Sequence, residues 1–129
     1  EPSAGQGGIA DNFKAPHRAV CVEISKLHCD ILRAKGFVTV QADFMEWAAS
    51  APKFNRIVMN PPFSEGRALA HLQAAAGLLK AGGRIAAVLP ASMKGKDVLP
   101  GLTVSWSDVY SGEFAGTGVS VVILTGEAA

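Results

Sequence analysis

Short apolar runs recur along the chain, and the longer segments between them have helical spacing. Four of these runs predict strands, at residues 19–24, 37–41, 56–59 and 85–89. The first run is nearly all apolar, which is typical of a strand that is buried on both faces. These four runs are the candidate strands of a central sheet.

Two of the segments between the runs predict amphipathic helices. Ser25 caps the first helix, which ends at Gly36, and Ser64 caps the second, which ends at Gly82 and Gly83. A shorter helix is predicted at residues 43–47. The predicted apolar faces are Leu27, Ile31 and Ala34 in the first helix, and Ala68, Leu69, Leu72, Ala75, Ala76 and Leu79 in the second.

Strands that alternate with helices predict an α/β fold with a parallel sheet. The end of the chain differs, because residues 103–106 and 119–124 are two predicted strands with no helix between them. They predict an antiparallel hairpin at the end of an otherwise parallel sheet. At 129 residues, we expect a single domain that spans positions 1–129.

Composition and charge exclude several classes of protein. A hydrophobic share of 49% is enough for a packed core and argues against disorder. The net charge of +1 does not by itself indicate a nucleic-acid binder. No stretch approaches the roughly 20 apolar residues of a membrane span, and residues 1–5 do not resemble a signal peptide. We therefore expect a cytoplasmic protein that does not enter a membrane.

The cysteines and histidines predict neither a disulfide framework nor a metal site. Cys21 and Cys29 are a lone pair, which favours reduced side chains used for packing. His17, His28 and His71 form no metal-ligand spacing with them. We expect no bound metal.

Three polar features lie at predicted strand ends, where α/β sheets bind their ligands. Gly5 to Ala10 fits the G-x-G-x-x-G/A pattern, whose glycines let the backbone approach a ligand closely. Glu23 follows Gly5 by 18 residues and is placed to accept hydrogen bonds from ribose hydroxyls. Asp43 can accept a hydrogen bond from an exocyclic amine, and Phe44 can stack on a base. Together they predict an adenosine pocket; the alternative is that both carboxylates are only solvated helix caps.

The third strand stops at the tetrapeptide Asn60-Pro61-Pro62-Phe63. An exocyclic amine on an aromatic ring is a weak nucleophile, because its lone pair is delocalised into the ring. The side-chain oxygen of Asn60 and the carbonyl of Pro61 can accept its two N–H groups and favour a pyramidal nitrogen. The prolines fix φ at about −65° and hold these acceptors in place, while Phe63 offers a stacking face. The alternative is a surface turn that contains two prolines.

On these residues the chain resembles the class I S-adenosylmethionine-dependent methyltransferases, and within them the branch typified by N6-adenine methyltransferases of bacteria and phages. Residues 1–7 match the cofactor loop, and residues 60–63 match the catalytic N-P-P-F tetrapeptide. The resemblance implies a Rossmann-like sheet, mostly parallel with a C-terminal antiparallel hairpin, and S-adenosylmethionine as cofactor. The implied cofactor-binding residues are Glu1, Pro2, Ser3, Ala4, Gly5, Gly7, Glu23, Ile24, Asp43, Phe44 and Asn60.

The resemblance also implies a substrate site. The implied catalytic residues are Asn60, Pro61, Pro62 and Phe63. An aromatic side chain from the hairpin region packs the target base in the resembled family. Phe114 is therefore the candidate here, with an ordinary core contact as the alternative. Arg67 and Lys94, together with Lys96, are candidates for phosphate contacts, although isolated lysines are usually only solvated.

The chain departs from the family pattern before Glu1. The family places an apolar strand there, at the centre of the sheet, and an N-terminal segment that helps to close over the cofactor. Both are missing from this sequence. We therefore expect either a longer protein or a neighbouring chain to complete the sheet.

These features predict transfer of a methyl group to the N6 amine of adenine in nucleic acid, with DNA ahead of RNA. Related tetrapeptides occur in enzymes that act on guanine N2 in RNA and on protein glutamine, so both remain alternatives. A catalytically idle subunit that binds S-adenosylmethionine is another. A nicotinamide-dependent oxidoreductase is the weakest alternative, because it has no use for the tetrapeptide.

Overall fold

Strands and helices alternate over most of the chain. The computed structural model describes residues 1–112 and 119–129, with Glu65 described by its backbone alone. The strands are β1 (Val20–Glu23), β2 (Val38–Gln41), β3 (Phe54–Met59), β4 (Leu79–Pro90), β5 (Thr103–Trp106) and β6 (Val121–Glu127). The α-helices are α1 (Lys26–Ala34), α2 (Phe44–Ala48) and α3 (Arg67–Ala76). Short 3-10 turns lie at Ala10–Asn12, Pro16–Arg18, Ser64–Gly66 and Ala91–Met93.

The pairing of the strands confirms the predicted α/β class. β1 pairs in parallel with β2, and β3 pairs in parallel with β4. β6 lies between β4 and β5 and is antiparallel to both, as expected for a C-terminal hairpin. Because the carboxyl ends of parallel strands meet at one edge of a sheet, the loops after β1, β2 and β3 reach a common pocket.

A gap separates β1 from β3. The described backbone forms no ladder between these two strands, so the molecule contains a two-stranded and a four-stranded sheet. A cavity of about 230 Å³ lies in the gap and is lined by Val22 from β1 and by Ile57 and Val58 from β3. At one end, Val22 N donates to Glu1 O at 2.9 Å and Ala4 N donates to Val22 O at 3.0 Å.

Two hydrophobic clusters hold the elements together. The main core packs α2 and α3 against the sheets. Its largest fully buried side chains are Met59, Leu72, Ile85, Leu89, Val122 and Leu124. A smaller core of Ala4, Ala10, Cys21, Leu32 and Phe37 lies beneath the glycine-rich loop. Cys21 and Cys29 are free and buried, as predicted, and burial raises the pKa of both thiols.

The predicted apolar face of α1 is wrong. Leu27 is 66% exposed, whereas Cys29 and Leu32 are fully buried. Leu32 packs beneath the glycine-rich loop, and the Cys29 thiol donates to Glu23 O at 3.2 Å. The loop and the end of β1 therefore decide which face of α1 is buried, and the spacing within the helix does not reveal their positions.

The predicted extent of the second long helix is also wrong. α3 ends at Ala76, and Leu79 already belongs to β4. Ser64 makes no capping hydrogen bond, since Gly66 is the residue that precedes α3. Gly82 and Gly83 lie inside β4, at a register irregularity opposite β3.

Backbone geometry explains why glycines occupy this irregularity in β4. Gly82 has a φ of 73°, which strains any residue with a side chain. A Cβ on Gly83 would approach Lys80 O to 2.8 Å and Asn55 O to 3.2 Å. Both glycines therefore permit a bulge within β4. In the sequence, the same glycine pair looks like the end of a helix.

We expect Gly7→Ala to lower the free energy of unfolding by about 1–2 kcal/mol, because an L-residue is strained at positive φ. Gly7 has a φ of 94°, and an added Cβ would lie 3.0 Å from Leu32 Cδ2. Gly8→Ala is the matched control, since its Cβ would meet nothing within 4 Å. Urea denaturation followed by circular dichroism measures both. Equal stability of the two variants would contradict the packing described for this loop.

Candidate active site

A cavity of about 560 Å³ opens at the carboxyl ends of β1, β2 and β3. Its volume lies within the roughly 300–1,000 Å³ that is usual for small-molecule sites. The side chains around it include most of the predicted cofactor and catalytic residues. The residues that line the cavity include Ser3, Glu23, Ile24, Asp43, Phe44, Met45, Asn60, Pro61, Pro62, Arg67, Ala70 and His71.

Glu23 is a buried carboxylate at the end of β1, with 7% of its surface exposed. Its Oε1 accepts from Gly5 N at 2.8 Å, and its Oε2 accepts from Ser25 N at 2.7 Å. His28 Nδ1 lies 3.8 Å from Oε2. A carboxylate has about four acceptor positions, so these bonds leave capacity for a ligand's hydroxyl groups. Glu23 is therefore not a solvated helix cap; Ser25 caps α1 by accepting from His28 N at 3.3 Å.

Asp43 does act as a helix cap, as the alternative interpretation supposed. Its Oδ1 accepts from Met45 N at 2.9 Å and from Glu46 N at 3.3 Å at the start of α2. Within the described residues, its Oδ2 makes no hydrogen bond. The same side chain can therefore fix α2 and still accept from a ligand. Ile24, which is 65% exposed, offers an apolar wall nearby.

The tetrapeptide places an exposed amide above a buried turn. Asn60 is exposed at the end of β3, whereas Pro61 is buried beneath it. Phe63 is half-buried against the main core. Gly66 then adopts a φ of 70°, which turns the chain into α3. The site residues Asn60 and Pro61 are thus held by a rigid segment that is anchored in the core.

Other predicted residues lie outside this cavity. Glu1 and Pro2 line the gap between the sheets instead. Burial raises the pKa of the Glu1 carboxyl to about 7, and its Oε1 has no partner among the described residues. Lys94 and Lys96 are exposed and follow the turn after β4.

The remaining predicted residues divide between the loop, the core and the end of the chain. Ala4 is buried in the smaller core, and Gly7 is a buried residue of the glycine-rich loop itself. Gly5 reaches the site through its bond to Glu23. Phe63 lies outside the lining of the cavity, and Phe114 falls outside the described residues.

His71 is a site residue that the sequence interpretation missed. It lies one turn after Arg67 on α3 and lines the same cavity. Only 9% of its surface is exposed, and its ring centroid lies 5.7 Å from that of Phe44. Burial is the main cause that lowers the pKa of His71; the Asp43 carboxylate raises it and Arg67 lowers it. The signal available in the sequence was a histidine on the apolar face of the helix after the tetrapeptide.

Within residues 1–112 and 119–129, no three His, Cys, Asp or Glu side chains are grouped closely enough to hold a metal ion. In the same ranges, no helix has the length and apolar character needed to cross a membrane.

The residues around the cavity fit an adenosine cofactor. Glu23 retains acceptor positions for ribose hydroxyls, and Asp43 Oδ2 can accept from the exocyclic amine of adenine. The exposed Ile24 offers an apolar surface for a purine, whereas Phe44, predicted as a stacking ring, is packed into the main core with only 4% of its surface exposed. The arrangement therefore matches the chemistry of the group that the sequence predicted.

The family model described as "Methyltransferase small domain" matches residues 13–113. The chain belongs to this methyltransferase family. No curated protein matches it in sequence. The membership agrees with S-adenosylmethionine as the cofactor and with the predicted class of enzyme.

Solved structures of other methyltransferases share the fold. TrmN from Thermus thermophilus aligns with a TM-score of 0.67 and 24% identity, over 98% of this chain and 42% of that protein. An rRNA methylase from Streptococcus thermophilus aligns with a TM-score of 0.64 and 9% identity, over 99% and 85%. The plantazolicin methyltransferase BpumL, whose structure contains S-adenosylhomocysteine, aligns with a TM-score of 0.68 and 9% identity, over 99% and 75%. They show that this methyltransferase has a Rossmann-like fold.

The lowered pKa of His71 predicts a loss of stability in mild acid. The unfolded chain binds a proton near the ordinary histidine pKa of 6.5, before the buried ring does. Stability is therefore present above that pH and is lost as pH falls towards the folded pKa, by up to about 1.4 kcal/mol per pH unit. As pH falls below 6.5, we expect the native protein to lose more stability than His71→Phe. Urea titrations across the range compare the two, and parallel curves would show that His71 does not titrate in this way.

Proposed function

We propose that the protein transfers a methyl group from S-adenosylmethionine to the exocyclic N6 amine of adenine in nucleic acid, with DNA ahead of RNA. The observation that carries the proposal is that Asn60 and Pro61 line the same cavity as Glu23 and Asp43. Cofactor and methyl acceptor can therefore meet at one edge of the sheet. The tetrapeptide supports an amino group as the methyl acceptor, because the Asn60 side-chain oxygen and the Pro61 carbonyl can accept its two N–H groups.

Glu23, Asp43 and Ile24 would hold the cofactor. The carboxylate of Glu23 accepts from ribose hydroxyls, and Asp43 Oδ2 accepts from the adenine amine. When bound, S-adenosylmethionine supplies an electrophilic methyl group on a sulfonium centre. The exposed Ile24 covers one face of the purine and excludes water from it.

Asn60 and Pro61 would hold the amine of the target base. The side-chain oxygen of Asn60 accepts one N–H, and the backbone carbonyl of Pro61 accepts the other. These bonds favour a pyramidal nitrogen, whose lone pair becomes available for attack. Since Pro61 is buried and its φ is fixed by the ring, the acceptors need no reorientation during the reaction. The extra proton on the methylated nitrogen then leaves to solvent.

The target base must leave a duplex before its amine can enter this cavity, or it must already be single-stranded. Phe63 and Phe114 are the rings that we propose around it. Arg67 is proposed for phosphate contact; its guanidinium is held by bonds to the Ser64 carbonyl and hydroxyl. With a net charge of only +1, we expect weak, salt-sensitive binding and poor discrimination between sequences.

Calorimetry tests the cofactor part of the proposal. S-adenosylhomocysteine should bind and NAD should not. Glu23→Gln should weaken binding by about 1–3 kcal/mol, because it removes a charged acceptor for the ribose. Glu46→Gln is the matched control, since Glu46 is exposed on α2 and does not line the cavity. Binding of NAD in place of S-adenosylhomocysteine would overturn the proposal.

Methyl-transfer assays test the catalytic part. With radiolabelled S-adenosylmethionine, we expect N6-methyladenine in DNA, and single-stranded or mismatched DNA should react at least as well as duplex. Asn60→Ala should lower kcat by about a hundredfold or more while the affinity for S-adenosylhomocysteine stays nearly unchanged, because Asn60 holds the acceptor. Asn55→Ala, at an exposed position earlier in β3, is the control.

The products of the same assay separate the alternatives. Label only as methylguanine in RNA, or only in protein glutamine, would replace the adenine assignment. The rRNA methylase with the same fold makes RNA the first substrate to include beside DNA. Intact cofactor binding with no label in any substrate would favour the idle subunit.

A further inference from the structure

His71 contains a buried ring nitrogen with no hydrogen-bond partner among the described residues. This nitrogen, Nδ1, is sealed from solvent. Such groups are rare in folded proteins, because burial removes their bonds to water without replacing them. An apolar side chain at this position would avoid that cost. The imidazole therefore calls for an explanation beyond packing.

The position of His71 shows which ligand it can meet. It lines the cavity that contains the predicted cofactor residues. Its ring is tilted by 39° against the ring of Phe44, and Asp43 is close enough to affect its charge. Asp43 is the residue proposed for the adenine amine, and Phe44 follows it at the start of α2. His71 thus lines the cavity beside Asp43 and Phe44, but from a different element, α3.

The two ring nitrogens have different surroundings. Because Nδ1 is sealed, Nε2 is the nitrogen that can reach a ligand in the cavity. A neutral imidazole carries one proton, so one nitrogen donates and the other accepts. A buried N–H without an acceptor is rarer than an unpaired acceptor. The proton is therefore placed on Nε2, and Nδ1 is left bare.

We propose that His71 donates a hydrogen bond from Nε2 to a ring nitrogen of the cofactor's adenine, which makes it a further binding and specificity residue of the site. Adenine presents such acceptors beside its amine, and the amine itself is assigned to Asp43. The proposal rests on the proposed function, because it takes S-adenosylmethionine as the ligand. It adds a third contact to the purine, from α3, beyond those proposed for Asp43 after β2 and Ile24 after β1.

Amide substitutions test which nitrogen is used. In His71→Gln the amide nitrogen can occupy the place of Nε2, whereas in His71→Asn it can reach only the place of Nδ1. We expect His71→Gln to bind S-adenosylhomocysteine within about threefold of the native protein, and His71→Asn and His71→Phe to bind about tenfold more weakly, as for one lost hydrogen bond. His17→Gln, at an exposed histidine, should change nothing. Thermal melts confirm that each variant is folded, and if His71→Phe is not, the two amide variants carry the comparison.

Deaza analogues test the purine contact itself by calorimetry. The native protein should bind either the 1-deaza or the 7-deaza analogue of S-adenosylhomocysteine about tenfold more weakly than the parent compound. His71→Phe should bind that analogue and the parent equally, since the donor is gone. Equal binding of all His71 variants to S-adenosylhomocysteine would overturn the inference and leave the proposed function standing. Failure of the native protein to bind S-adenosylhomocysteine at all would overturn both.

Discussion

The Glu23 carboxylate is the contact on which the site depends. It ends β1, accepts from Gly5 N in the glycine-rich loop, and accepts from Ser25 N at the start of α1. Its backbone carbonyl also receives the Cys29 thiol from within α1. A buried carboxylate is tolerated only where hydrogen bonds replace its lost hydration. The same hydrogen bonds therefore compensate for the lost hydration of the buried carboxylate, and they join three segments of chain at the edge of the cavity.

Further candidate site residues, among them Asp43 and Asn60, lie in the loops that follow β2 and β3, which end at the same edge of the cavity. Asp43 caps α2 with one oxygen and keeps the other for a ligand. Pro61 is buried, so the exposed Asn60 stands on a turn that the core supports. Each polar group proposed for ligand binding is thus joined to a group that also stabilises the fold: Asp43 Oδ2 to the capping Oδ1, and Asn60 to the buried Pro61. Such coupling limits how far a side chain can move before the fold itself is disturbed.

The structure also carries two features that packing alone does not favour. Among the described residues no ladder joins β1 to β3 across the apolar cavity, and only residues 1–4 bond to β1 there. His71 leaves a ring nitrogen sealed without a partner. Departures from local consistency are expected to concentrate at functional sites. His71 fits that expectation because it lines the cavity that contains the proposed cofactor residues.

The amino-acid sequence by itself determined the class of fold, the methyltransferase class and the set of candidate site residues. Continuous apolar runs and turn residues were enough for the order of strands and helices, since these signals are local. The tetrapeptide at Asn60 and the acids at Glu23 and Asp43 were recognisable because strand ends are recognisable. The family match confirms the methyltransferase class, and the roles of these residues remain predictions.

Only the tertiary structure decided which faces are buried and which side chains meet. Spacing within α1 favoured Leu27, but the glycine-rich loop and β1 lie over Cys29 and Leu32. Gly82 and Gly83 resembled a helix stop, yet they serve a bulge whose partner strand lies far away in sequence. His71 joined the site because α3 packs beside Phe44. The burial of a residue depends on which elements pack against it. Neighbours that are distant in sequence cannot be identified from the spacing of hydrophobic positions within one helix or strand.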